Sequence, residues 1–187
     1  SAASDVYKRQ LCSNNGLRRW NKLIIIEGID GVGKTSLSEN MQKDNFERYH
    51  LGYDEKSEQG YLNILKLNTE KLVLDRSFIS ELVYGPVLRN SCKINKQQTQ
   101  NIINQYVNAK TRIVYLKSSK ETLLERRKFD LEDTEMLQKY FEILNERYNK
   151  VMNFLRRYFP VLEIDTSINN QEEVYELVSK FVEAPER

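Results

Sequence analysis

The chain has 187 residues, 40% hydrophobic and 30% charged, with 29 Lys and Arg against 27 Asp and Glu. That length suits one domain with a substantial core, and the near balance of charge argues against a surface built to coat nucleic acid. Cys12 and Cys92 lack Cys-x-x-Cys spacing and clustered histidines, which argues against a disulfide framework or zinc site. No apolar run approaches the ~20 residues of a membrane span, so a cytoplasmic location is expected.

Residues 1–10, Ser-Ala-Ala-Ser-Asp-Val-Tyr-Lys-Arg-Gln, read as translated sequencing-adapter sequence foreign to the protein. Residues 11–20 form an N-terminal extension with no predicted element, and a single domain is expected over 21–187. The β-branched run Lys22–Glu27, closed by Gly28, predicts a fully buried strand. A helix is predicted from Thr35 to about Lys43, with Leu37 and Met41 on its inner face, and a short strand from Phe46 to Leu51. His50, the sole histidine, reads as a strand or loop residue rather than a base, because no nucleophile pattern accompanies it.

Gly60–Leu67 predicts a helix and Lys71–Asp75 a buried strand. Two helical stretches follow, near 77–88 and 95–109, the first perturbed by Gly85-Pro86. Thr111–Leu116 predicts a strand, and 120–128 and 134–158 helices, the latter with a core stripe of Met136, Tyr140, Leu144, Tyr148, Val151 and Leu155. Val161–Ile164 is the last predicted strand and 171–183 the closing helix. Strands separated by helices call for parallel pairing and right-handed crossovers. The expected fold is α/β, a doubly wound parallel sheet of about five strands flanked by helices.

Gly28, four residues, then Gly33-Lys34-Thr35 match the Walker A pattern, entered by a strand and left by a helix. Glycines let the backbone curl so that N–H groups point at phosphate oxygens at the positive end of a helix. Gly28, Gly31, Val32, Gly33, Lys34, Thr35 and Ser36 form the expected ATP cradle, with Lys34 on the β and γ phosphates. Thr35 and Asp75, an acid ending a later strand, are the expected oxygen ligands of Mg²⁺ brought with ATP. Arg76 suits an acceptor phosphate because a guanidinium matches paired oxygens. Arg126 and Arg127, in a basic cluster with Lys128, suit a lid closing on the transferring phosphoryl group. A GTPase is disfavoured: no glycine stands three residues past Asp75 and no Asn-Lys-x-Asp guanine reader occurs.

These residues resemble the thymidylate kinase family of P-loop nucleotide kinases. Ile26-Glu-Gly-Ile-Asp-Gly-Val-Gly-Lys-Thr35 is similar to that family's opening motif, and Asp75-Arg76 with Ser80 and Tyr84 to its D-R-x-x-x-S-x-x-x-Y segment. Tyr115-Leu-Lys, Leu124-Glu-Arg126, Tyr140-Phe-Glu and Glu146-Arg-Tyr148 resemble its lid strand and following helix, so the likeness covers about 22–183 with gaps. It implies the P-loop kinase fold with a short lid, and γ-phosphoryl transfer from Mg-ATP to a (deoxy)nucleoside monophosphate, dTMP-like. Asp30 would then contact the acceptor sugar, Arg76 its phosphate and Tyr84 its base, with Ser80 alongside and Lys34, Arg76, Arg126 and Arg127 as the catalytic cations. Nucleotide substrates are the expected partners, with no nucleic acid or membrane, and a homodimer as the assembly.

The chain departs from that pattern in its acceptor half. Tyr49-His-Leu-Gly-Tyr-Asp54 stands where the family has a proline-and-glycine motif, and residues 55–70 contain no Arg and no Phe. Tyr61 is the aromatic left for base stacking, and Gly85 replaces a common glutamine. A deoxynucleoside kinase is the alternative, with Asp75-Arg76-Ser77 as its acid-Arg-Ser triplet and Asp54 or Glu55 as the carboxylate base for a sugar hydroxyl. A P-loop ATPase or ATP-binding regulatory module is a further alternative, against which the compact length and lid-like arginines weigh.

Overall fold

The computed structural model describes residues 22–185, so the expectations for residues 1–20 lie outside the described residues. Strand β1 (Lys22–Glu27) is buried from Leu23 onward, as its unbroken apolar run requires when helices cover both faces of a sheet. It lies between β3 (Lys71–Asp75) and β4 (Arg112–Lys117), while β2 (Glu47–Tyr49) and β5 (Val161–Asp165) form the edges. All pairs are parallel in the order β2-β3-β1-β4-β5, with Ile26 opposite Asp75 and Glu27 opposite Tyr115. The carboxyl ends of the central strands therefore share one edge, beside the reversal of strand order where open α/β sheets bind ligands.

Seven helices flank the sheet: α1 (Lys34–Gln42), α2 (Glu58–Ile64), α3 (Phe78–Leu88), α4 (Lys96–Asn108), α5 (Lys120–Arg127), α6 (Leu131–Leu155) and α7 (Gln171–Glu183). None of the helices among the described residues is long and apolar enough to cross a membrane. Helix α2 starts and ends earlier than the sequence predicts, because Ser57 caps it by accepting from the Gly60 amide. Helix α6 likewise starts three residues early, where Asp130 accepts from the Asp133 amide. Its buried stripe is Leu137, Phe141, Leu144, Tyr148, Met152 and Leu155, rotated from the predicted one so that Met136, Tyr140 and Val151 lie at its flanks.

Helix α3 runs unbroken through Pro86, contrary to the expected perturbation. Proline has no N–H to give the Leu82 carbonyl, and the half-buried Arg147 of α6 supplies the missing donor, Nε to Leu82 O at 2.8 Å. Arg147→Ala is expected to orphan that carbonyl and cost about 1–2 kcal/mol. Urea unfolding would reveal the loss as a lower midpoint at constant slope, and an unchanged midpoint would refute it.

Candidate active site

Strand β1 runs directly into the glycine-rich loop. A Cβ on Gly28, whose φ is 147°, would lie 2.3 Å from the Leu116 carbonyl oxygen, so only glycine lets the loop leave β1 this close to β4. Gly33 caps α1 with φ 95° and offers no side chain to the first-turn amides, which suits them to an anion. Lys34 is buried, and its ammonium donates to the carbonyls of Gly28 at 2.7 Å and Ile29 at 2.9 Å, with Asp30 Oδ1 at 3.4 Å. Burial pushes that ammonium below the ordinary lysine value, with Asp30 opposing. Val32 is packed into the core and Ser36 faces the cleft.

Thr35 Oγ1 donates to Asp75 Oδ2 at 3.2 Å across the cleft, a pairing set by the β1–β3 register. The two side chains form a hard-oxygen pair at the mouth of the phosphate loop, the donor set that fits Mg²⁺ carried on a triphosphate. Two further residues join them: Arg48, which the sequence did not single out, and His50, which it marked only as a strand or loop residue. Arg48 Nη2 donates to the same Asp75 oxygen at 2.6 Å, and His50 Nδ1 lies 2.9 Å from the Asp75 carbonyl oxygen.

Arg76 has φ 74°, a left-handed conformation that costs an arginine on the order of 1 kcal/mol, held by its N–H on the Ile26 carbonyl at 3.1 Å. The turn brings its guanidinium onto Asp30 and over the Tyr84 ring, 5.3 Å from the centroid. Tyr84 Oη completes the group at 3.5 Å from Asp30 Oδ2. Burial pushes the Asp30 carboxyl up, but Lys34 and Arg76 outweigh it and hold the group below its usual range. Burial and Asp30 push the Tyr84 phenol up, so it remains a proton donor.

Ser80 does not line the acceptor side. Its hydroxyl donates to the buried Glu27 carboxylate at 2.8 Å, where Ser77 and Tyr148 also converge. Tyr61 lies in the core, edge-on to Phe78 at 6.3 Å, with its hydroxyl buried and unpartnered. Arg126 and Arg127 both reach the cleft, which encloses about 480 Å³. Arg126 also bonds Thr166 O at 2.6 Å and Gly31 O at 3.2 Å, while Arg127 pairs with Asp133 at 3.0 Å. A second cavity of about 410 Å³ adjoins it behind the loop, lined by Ser36, Asn40, Leu116, Thr166, Asn169 and Val174, and Arg126 borders both.

The structure thus brings together Asp30, Lys34, Thr35, Asp75, Arg76, Tyr84, Arg126 and Arg127 as the sequence predicts. It adds Arg48, His50, Glu27 and Thr166. Glu27 carried a legible signal, a lone carboxylate ending an apolar strand, whereas the placement of Arg48 and His50 on Asp75 became visible only once β2 was registered on β3.

No family model and no curated protein sequence matches the chain. Solved structures do. The YorR protein from Bacillus subtilis, in complex with phosphorylated GDP, superposes with a TM-score of 0.71 at 21% identity, over 87% of this chain and 96% of its own. Deoxyadenosine kinase from M. mycoides with bound dCTP gives 0.58 at 17% identity, over 85% and 98%. Thymidylate kinase from Candida albicans gives 0.59 at 17% identity, over 87% and 91%. The glycine-rich loop, the parallel sheet and these likenesses together establish that the chain has the P-loop kinase fold.

Proposed function

We propose that the chain transfers the γ-phosphoryl group of Mg-ATP to an acceptor of nucleoside type held against Asp30, Arg76 and Tyr84. The observation that carries this reading is the convergence of Lys34, Arg76, Arg126 and Arg127 on a single cleft at the glycine-rich loop. Phosphoryl transfer is accelerated chiefly by positioning and by neutralising charge on the transferring group, so cations from both the loop and a lid are what the chemistry demands. Lys34 would bind the β and γ phosphates, and the cavity beside Asn40 and Thr166 would hold the donor base. Thr35 and Asp75 would hold Mg²⁺, which when bound neutralises the donor phosphates. Nucleotide partners, a homodimer and a cytoplasmic location are further parts of the proposal.

The reading leaves two forms of acceptor. A (deoxy)nucleoside monophosphate, dTMP-like by the thymidylate kinase resemblance, would set its phosphate on Arg76. A nucleoside phosphorylated on its 5′-hydroxyl is the second form, suggested by the triplet Asp75-Arg76-Ser77. An ADP-release assay with Mg-ATP, run across nucleosides and their monophosphates, tests the reading. Acceptor-independent hydrolysis would favour an ATPase or regulatory module instead. Arg76→Ala is expected to raise the acceptor KM by about 10-fold or more, since a charge-assisted hydrogen bond is worth ~1.5–3 kcal/mol, with the ATP KM little changed. An equal rise for both ligands would count against an acceptor role.

A further inference from the structure

Arg126 and Arg127 are neighbours on α5, yet their guanidinium groups are held in different ways. Arg127 makes one ion pair, with Asp133 at 3.0 Å. Arg126 is tied at three points. Its Nη1 donates to Thr166 Oγ1 at 3.0 Å and to the Gly31 carbonyl at 3.2 Å, and its Nη2 donates to the Thr166 carbonyl at 2.6 Å. A guanidinium carries five N–H groups in one plane, so bonds at both ends of that plane fix its orientation. Arg126 is otherwise exposed and borders both cavities, the cleft at the glycine-rich loop and the one behind it. An exposed arginine left to itself samples many rotamers; this one is held across the junction of the two cavities.

The residue that holds it, Thr166, is buried directly after β5. Its hydroxyl has one hydrogen, and the neighbours decide where it points. The Lys117 carbonyl, 3.0 Å from Oγ1, can only accept, and a guanidinium can only donate. The hydroxyl therefore donates to Lys117 and turns a lone pair to Arg126. For the sheet that donation is redundant, because the Thr166 amide already serves the same carbonyl at 2.7 Å. The turn around the residue is fixed by Asp165, whose Oδ1 accepts from the Ser167 amide at 2.8 Å and whose carbonyl accepts from Asn169 Nδ2 at 2.7 Å. What the hydroxyl alone provides is an oxygen for Arg126.

We infer that Thr166 is a positioning residue for the phosphoryl donor: it holds the Arg126 guanidinium where the two cavities meet and, through that group, ties the end of β5 to Gly31 of the glycine-rich loop. The inference rests on the kinase reading above and adds to it a residue that acts through Arg126 rather than by touching the nucleotide. Without the hydroxyl, Arg126 keeps its charge but regains rotamer freedom, which donor binding must then remove. The loss falls on the donor, because Asp30, Arg76 and Tyr84 are held by one another and not by Arg126.

The test is calorimetric binding of Mg-ATP to the full chain, which needs no acceptor. Thr166→Val keeps the branched shape and removes the hydroxyl, and is expected to raise Kd by about 5-fold. Thr166→Ser keeps the hydroxyl and is expected to stay within about 2-fold of the parent. Arg126→Lys keeps a charge but cannot bridge Thr166 and Gly31 in one plane, so its Kd is expected to rise by about 5-fold or more. In an Arg126→Ala background, Thr166→Val is expected to add less than about 2-fold, the non-additivity of two residues that act as a unit. A threonine that served the fold alone would give neither that coupling nor the rescue by serine. An unchanged Kd in Thr166→Val, or in Arg126→Lys should Thr166→Val not fold, overturns the inference and leaves the kinase reading standing. A full additional loss in the Arg126→Ala background overturns it too, since the hydroxyl would then touch the nucleotide itself. A parent chain that binds no Mg-ATP removes the kinase reading, and the inference with it.

Discussion

Replacing Lys34 with alanine is expected to lower kcat for phosphoryl transfer on the order of 10²–10³-fold while leaving the fold in place, the loss seen when one preorganised donor is removed from a developing charge. The structure explains why the two effects separate. The ammonium is buried and holds two loop carbonyls, those of Gly28 and Ile29, so its removal leaves unpaired acceptors. Against that stands the desolvation of the same ammonium, large enough to push its proton affinity below the ordinary value. Tyr148 Oη stays 3.2 Å from the Gly28 oxygen when the lysine is gone, although its one hydrogen is shared with Glu27 Oε2 at 3.1 Å. The opposing terms are of similar size, and the melting temperature is expected to move by no more than about 4 °C, roughly 1 kcal/mol for a domain of this length. ADP release under saturating substrates checks the rate and a thermal melt checks the fold. A variant keeping more than about a tenth of the parent kcat would sink the phosphate role of Lys34.

The glycine-rich loop was legible in the sequence because its constraints are local. Gly28 admits no substitute, because a Cβ there would lie 2.3 Å from the Leu116 carbonyl oxygen, and Lys34 and Thr35 lie on the first turn of the helix that Gly33 caps. Asp75 was legible for a related reason: it ends an apolar strand, and a parallel sheet sends strand ends to one edge. The far side of the cleft was legible only in part, because some of its contacts depend on register. Strand β2 has only three residues, too few for alternation to mark a face, so nothing local places Arg48 on the Asp75 carboxylate or His50 on its carbonyl. Ser80 fits its motif by spacing, yet a helix turn directs its hydroxyl to Glu27 rather than to the cleft. The stripe on α6 was read one step around the helix, since Tyr140 and Val151 are apolar enough to mark a face but sit at its margin. Pro86 misled for another reason. The cost of a proline inside a helix is set by what becomes of the carbonyl four residues back, and Arg147 comes from a distant segment.

Glu27→Ala is expected to cost about 3–5 kcal/mol of stability, the usual effect of removing one side of a buried polar network that carries a charge. Glu27 is fully buried at the end of β1, and its carboxylate gathers donors from two other segments. Oε1 accepts from the Ser77 amide at 2.7 Å, the Ser77 hydroxyl at 2.9 Å and the Ser80 amide at 3.2 Å, all at the start of α3 where an anion is favoured. Oε2 accepts from the Ser80 hydroxyl at 2.8 Å and from Tyr148 of α6 at 3.1 Å. Alanine leaves these donors buried without a partner, and the melting temperature is expected to fall by roughly 6–20 °C at ~2–4 °C per kcal/mol. Ser80→Ala removes one of the bonds and is expected to cost only about 1 kcal/mol. A Glu27→Ala melt within about 2 °C of the parent would refute the hub. The same change reaches the proposed chemistry through Arg76, whose left-handed turn stands between Asp75 and the clamped Ser77. If Glu27 holds that turn, a folded Glu27→Gln variant weakens the acceptor more than ATP, because the loop around Lys34 has its own glycine geometry while the placement of Arg76 depends on Ser77. Equal weakening of both ligands would mean that the carboxylate supports the sheet edge as a whole rather than the arginine beside it.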